Sequence, residues 1–235
     1  ATKRRLIEVV EKETLVKDIT PFEAFVFVLK SYLDSFEKKD VSQSLSKVLE
    51  ENGYTTYQYQ LDAVKQALAI IEKNNGVIIA DVVGLGKTIV ACAVAREMKK
   101  RGIVICPPGI VGDKNKNSGW KKYTEEFGLH DWEVRSLGDL ENTVDFIKRA
   151  KDIEVVIVDE AHRFRNQDTK DYEYLKNICR NKVVILLTAT PFNNRPGDIL
   201  SLLKLFITPK KSSINLENNL VDKFKAFRGI FDRLG

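Results

Sequence analysis

The sequence predicts an α/β fold, a parallel sheet covered on both faces by helices and preceded by a helical extension. Two observations carry that expectation. Five short runs, most of them rich in Val and Ile, fall at 76–80, 103–106, 133–136, 155–158 and 183–187, and helical segments separate most of them. Apolar strands alternating with helices imply a parallel sheet buried on both sides. The second observation is placement. Each polar motif described below begins where one of these runs ends, and sheets of this class bind ligands beyond the carboxyl ends of their strands.

Residues 1–52 read as the helical extension, with 53–235 as the α/β domain. Thr20-Pro21-Phe22-Glu23 is a helix start, with Thr20 as N-cap, Pro21 at the first helical position and Glu23 reaching back. Phe22, Phe25, Val26, Leu29, Leu33 and Phe36 then recur at helical spacing. A second helix is expected after Asp40 and Gln43, with Leu45, Val48 and Leu49 on one face and Asn52-Gly53 as its stop. A third runs from about Tyr57 to Asn74-Asn75-Gly76.

The first strand leads into Asp81-Val82-Val83-Gly84-Leu85-Gly86-Lys87-Thr88, and a helix follows from Ile89 to about Lys100. Strand, glycine loop and helix together suit a nucleotide phosphate. Gly84 and Gly86 let the backbone curl around phosphate oxygens, and successive N–H groups point inward. The helix that follows presents its positive end to the same anion. Lys87 is placed to reach the β- and γ-phosphates, and the Thr88 hydroxyl to sit on Mg²⁺. Asp81 stands where the general pattern has its first glycine. The plain alternative is a glycine turn that binds nothing.

The fourth strand ends in Asp159-Glu160-Ala161-His162. Asp159 is expected to hold Mg²⁺ through water, and Glu160 to polarise the water that attacks the γ-phosphate. Acids that merely solvate a strand end are the simpler explanation, and Lys87 upstream argues against it. The fifth strand ends in Thr188-Ala189-Thr190-Pro191. His162 with Thr188 or Thr190 is expected to hydrogen-bond across neighbouring strand ends and report the nucleotide state.

These residues also carry a family resemblance. Gly84-Leu85-Gly86-Lys87-Thr88, Asp159-Glu160-Ala161-His162-Arg163-Phe164-Arg165-Asn166 and Leu187-Thr188-Ala189-Thr190-Pro191-Phe192-Asn193-Asn194 resemble motifs I, II and III of superfamily II helicases. The tails after motifs II and III resemble the Swi/Snf-type DNA translocases. Tyr59-Gln60-Leu61-Asp62-Ala63-Val64 resembles the Q-motif, which implies that the Gln60 amide reads the adenine edge. Ile105-Cys106-Pro107-Pro108 with Trp120 resembles motif Ia and the tryptophan after it. Ser136-Leu137-Gly138 is the nearest approach to motif Ib. The resemblance covers about residues 54–208 and implies a RecA-like, P-loop NTPase fold using ATP and Mg²⁺. It further implies movement along duplex DNA without sequence preference, the backbone being met by residues such as Pro107 and Ser136.

Two departures stand out. Val82 occupies a position where the family commonly has an acid. The link 112–119 is longer and more polar than usual; Lys114 and Lys116 suit a nucleic-acid backbone, although a solvated loop is the simpler reading. Family members also have a second RecA-like lobe whose arginines reach the γ-phosphate. No Gln-x-x-x-Arg-x-x-Arg pattern follows Thr190, so the chain is read as the first lobe of a longer polypeptide.

Composition narrows the classes. A formal charge of +5 permits a polyanionic partner without requiring one. No run of eighteen apolar residues occurs, so no membrane span is expected. Three isolated cysteines and two distant histidines make neither a disulfide framework nor a zinc site. A cytoplasmic location is expected, at the nucleoid or in the nucleus of a eukaryote. Two rival functions remain: a strand-separating helicase or RNA-dependent ATPase, and a non-catalytic ATP-binding scaffold.

Overall fold

The computed structural model describes residues 43–80, 86–113, 115, 117–190 and 196–207. The chain divides into two compact units, Ala1–Lys38 and Lys39–Gly235. All described residues belong to the second unit. The expected helix at Thr20, the loop residues Asp81, Val82, Val83, Gly84 and Leu85, and Lys114 and Lys116 lie outside the described residues, as do 191–195.

In chain order the elements are α1 (Gln43–Glu51), α2 (Gln58–Asn74), β1 (Gly76–Ala80), α3 (Lys87–Met98), β2 (Gly102–Cys106), α4 (Gly119–Glu126), β3 (Glu133–Ser136), α5 (Leu140–Arg149), β4 (Val155–Val158), α6 (Lys170–Cys179), β5 (Val183–Thr188) and α7 (Pro196–Leu203). At the five strands and the three helices before Lys100, for which bounds were expected, expected and observed ends differ by at most two residues. The domain division falls earlier than the expected boundary near Gly53. Leu49 of α1 is buried in the core, so that helix belongs to the α/β unit.

The five strands form one sheet in the order β1-β5-β4-β2-β3. Every pairing is parallel. Registers align the carboxyl ends: Ala80 lies opposite Thr188, Val158 opposite Leu186 and Ile105, and Cys106 opposite Ser136. All residues of β2 and β4 are buried. Alternate residues divide between two cores, because strand side chains point to opposite faces with period two. Val104, Val155, Ile157, Ile185 and Leu187 pack beneath α1 to α4, together with Leu49, Val64, Val94 and Phe127. Ile103, Ile105, Val156, Val158, Val184 and Leu186 pack on the other face, with Leu140, Leu175, Ile178 and Leu202 of α5 to α7.

Within α3 the run Ala91-Cys92-Ala93-Val94-Ala95 is completely buried. Small side chains there let the helix lie close on the sheet, which fixes where its first turn sits. Cys92, Cys106 and Cys179 are free and buried. Burial pushes the Cys106 and Cys179 thiols up to about 12, leaving them protonated and unreactive. Among the described residues no helix is long and apolar enough to cross a membrane.

Candidate nucleotide site

The basic end of the candidate site is built where α3 begins. Gly86 is its N-cap, at φ +81°, and the Val90 amide donates to the Gly86 carbonyl at 3.0 Å. A side chain at Gly86 is excluded twice, by the left-handed backbone and by space. A Cβ there would lie 2.6 Å from Gln60 Nε2. Lys87 and Thr88 follow in the first turn, both half-buried. That turn leaves backbone N–H groups without helical acceptors. Gln60, buried in the first turn of α2, stands directly against Gly86. The stacked rings of Tyr57 and Tyr59, both exposed, lie beside it.

The acidic end is built where β4 stops. The Asp159 amide extends the ladder by donating to Ile105 O at 2.8 Å. Its carboxylate is held from both sides: Trp120 Nε1 donates to Oδ2 at 2.9 Å, and the Glu160 amide donates to Oδ1 at 2.8 Å. Burial raises the Asp159 carboxyl above its ordinary range; the two N–H donors and the nearby Lys87 ammonium offset part of that. Lys87 is thus electrostatically close to Asp159, although they are 72 positions apart in sequence.

Glu160 has φ +54°, a left-handed backbone uncommon for a residue with a side chain. Such a conformation costs on the order of 1–2 kcal/mol. It turns the chain abruptly off β4 into the short 3-10 turn Ala161–Phe164, whose Ala161 and Phe164 are anchored in the core. The Glu160 side chain is left partly exposed at the sheet edge. His162 Nδ1 lies 3.0 Å from Glu160 Oε2, off the axis of a hydrogen bond.

The third element departs from expectation. Thr188 is buried, and its Oγ1 accepts the Thr190 amide at 3.2 Å. The side chain that meets Thr190 is Arg165, not His162. Arg165 Nη2 donates to Thr190 Oγ1 at 2.9 Å and also to the Thr190 carbonyl. His162 makes no hydrogen bond to either threonine. The reason is local: the tight turn after Glu160 folds the imidazole back toward that carboxylate, while the longer guanidinium three residues on spans the gap to β5.

Pro107 and Ser136 sit on the same edge, after β2 and at the end of β3. Ser136 Oγ accepts the Gly138 amide at 3.1 Å. Between β2 and α4 the link closes on itself. Gly112 (φ +83°) and Gly119 (φ +61°) face each other so closely that a Cβ on Gly112 would meet Ser118 O at 1.8 Å. The Lys121 amide donates to Val111 O at 3.1 Å across this neck, and Asn115 and Asn117 stand exposed beyond it.

The donor set suits Mg²⁺. Among the described residues no three His, Cys, Asp or Glu side chains converge as a metal cage. What is present is one oriented carboxylate, Asp159, and one hydroxyl at a helix start, Thr88. Mg²⁺ keeps several waters and takes its remaining oxygens from substrate phosphates, so this sparse set fits it. Sequence reasoning named Trp120 but gave it no task, and it missed the Arg165 bond. Motif position was the only signal for either.

Residues 107–223 match the SNF2-related domain. Among curated proteins, the uncharacterized ATP-dependent helicase YqhH of Bacillus subtilis is 31% identical, over 73% of this chain and 32% of its own length. Chromodomain-helicase-DNA-binding protein 1-like of Danio rerio is 28% identical, over 86% of this chain and 22% of its own length. The chain thus spans about a third or less of these relatives. The solved SWI2/SNF2 ATPase core of Sulfolobus solfataricus, in complex with dsDNA, has a TM-score of 0.53 at 22% identity. That likeness covers 75% of this chain and 43% of the other, and it shows the shared RecA-like fold. Lys87 and Thr88 and residues 159–166 and 188–190 stand on the carboxyl edge of that fold, and residues 107–223 carry the SNF2-related domain.

Proposed function

We propose that this chain is the ATP-binding lobe of a Swi/Snf-type translocase, which couples ATP hydrolysis to movement along double-stranded DNA. The observation that carries the reading is the convergence of Lys87 and Asp159. A cation at a helix start and an oriented carboxylate at a strand end come together on the sheet edge, close enough for the Lys87 ammonium to favour the Asp159 anion and offset part of the effect of burial.

Each side chain then has a definable task. Lys87 and the first N–H groups of α3 hold the terminal phosphates. Gln60, packed on Gly86, is placed to hydrogen-bond the base. Thr88 and Asp159 would hold Mg²⁺, which screens phosphate charge when bound. Glu160, partly exposed and turned off the sheet by its own backbone, orients water and takes its proton. Thr188, Thr190 and Arg165 connect this edge to β5. Pro107, Ser136, Lys114 and Lys116 are the candidate contacts to the duplex DNA backbone, which gives no sequence preference. A second RecA-like lobe supplies the opposite wall of the site.

Two measurements test the reading. Thermal unfolding of the chain with ATP and Mg²⁺ should show a ligand-induced rise that Lys87→Ala abolishes while the unliganded midpoint stays put. An unchanged rise in the variant overturns the phosphate assignment. In a polypeptide that also carries the second lobe, duplex DNA should stimulate hydrolysis more than RNA does. Stimulation should fall with salt, each neutralised phosphate adding about 0.9 to the logarithmic slope. Preferential stimulation by RNA would select the rival reading.

A further inference from the structure

Trp120 is buried, 2% exposed, and lies in the first turn of α4 immediately after the Gly112–Gly119 neck. Its indole N–H is spent on Asp159 Oδ2 at 2.9 Å. A buried indole N–H needs an acceptor; Trp132 uses a backbone carbonyl, whereas Trp120 uses the carboxylate at the end of β4. The ring already packs edge-on against Tyr123, and a phenylalanine would fill an apolar niche without needing an acceptor. The bond also has a consequence for the carboxylate. The Glu160 amide constrains Oδ1, and the indole constrains Oδ2. With both oxygens anchored, the plane of the carboxylate is set, and each keeps a lone pair for a further partner.

We propose that Trp120 is a positioning residue, whose indole N–H orients the Asp159 carboxylate for Mg²⁺ and ties the glycine neck at 112–119 to the metal end of the nucleotide site. This rests on the reading of the edge as a Mg²⁺–nucleotide site. The neck has no slack: Gly112 and Gly119 are in backbone contact, and the Val111 carbonyl is bonded to the Lys121 amide beside Trp120. A displacement of the exposed link is therefore delivered to the indole, and through it to the carboxylate. Among the described residues, Trp120 is the side chain that joins this neck to Asp159.

The chain contains two tryptophans. Trp132 donates its indole N–H to Lys100 O and packs on Gly102 at the amino end of β2, so it serves as an internal reference. The experiment uses ¹⁵N-indole spectra of the 235-residue chain with ADP, titrated with Mg²⁺, and Trp120→Phe to assign the resonances. The Trp120 resonance should move on Mg²⁺ addition while that of Trp132 stays. In Trp120→Phe the Mg²⁺ concentration needed for tight ADP binding should rise about tenfold, as for loss of a partner behind a metal ligand. ADP binding without Mg²⁺ should be unchanged. A stationary Trp120 resonance, or an unaltered Mg²⁺ requirement in the variant, overturns the positioning role while leaving the nucleotide site standing. Failure of the unmodified chain to bind ADP with Mg²⁺ overturns the site itself, and the role with it. If Trp120→Phe does not fold, Trp132→Phe supplies the assignment, and the resonance shift in the unmodified chain decides.

Discussion

Arg165 reaches from the tail of the acidic motif to Thr190, donating to its hydroxyl at 2.9 Å and to its carbonyl, so the segments after β4 and β5 are latched together. The guanidinium Nε is buried and makes no hydrogen bond of its own. If the edge works as proposed, this latch would pass a change at Glu160 to the β5 edge. In the two-lobed polypeptide, Arg165→Ala should therefore lower DNA-stimulated hydrolysis about tenfold or more, the loss expected for a charge-assisted hydrogen bond. Affinity for ATP should stay near normal. A variant that loses ATP binding and hydrolysis in parallel would mean that Arg165 serves only to hold the fold.

Gly86→Ala probes the packing of the phosphate end. The left-handed backbone at φ +81° costs an alanine about 1–2 kcal/mol, and its Cβ must displace the Gln60 amide. The expected outcome is a lower unfolding midpoint together with loss of the ATP-induced rise. Gln60→Ala in the same background should restore part of the midpoint by vacating the space, and none of the binding. Equal stability of Gly86→Ala and the parent chain would contradict the described geometry.

Glu160→Gln separates binding from chemistry. The amide keeps the size and the outward direction of the side chain but cannot accept a proton. In the two-lobed polypeptide it should bind ATP and hydrolyse it about 10²–10⁴-fold more slowly. Single-turnover phosphate release measures this directly. Hydrolysis within about tenfold of the parent protein would remove Glu160 from the role of base and leave it as a structural acid beside His162.

The 235-residue chain alone should bind ATP and turn it over very slowly, with or without DNA. Lys87, Thr88, Asp159 and Glu160 all lie along one sheet edge, so they meet the nucleotide from one side. Charge developing on the γ-phosphoryl oxygens away from that edge has no compensating cation among the described residues of the site. The arginine that supplies such compensation in related chemistry contributes about 10³–10⁵ in rate. Steady-state phosphate release with saturating duplex DNA is the measurement. Turnover of several per second would show that the chain completes its own site, for instance by self-association.

Much of this protein was legible before any coordinates. The alternation of Val- and Ile-rich strands with amphipathic helices determined the parallel sheet, because the two periods are written directly into the order of apolar residues. Placement of Gly86-Lys87-Thr88, Asp159-Glu160 and Thr188-Ala189-Thr190 at strand ends determined which edge carries the candidate site. Local signals cannot say which strands become neighbours. The sheet order, with β5 lying between β1 and β4, was decided only by packing, and it is this order that sets Thr188 beside Ala80. The same limit explains the two surprises. Trp120 and Asp159 are 39 residues apart and Arg165 and Thr190 are 25 apart. Hydrogen bonds at such separations leave no periodicity and no spacing rule behind. They arise when the sheet brings distant chain segments to one edge, and when the left-handed turn at Glu160 aims His162 one way and leaves Arg165 to reach the other.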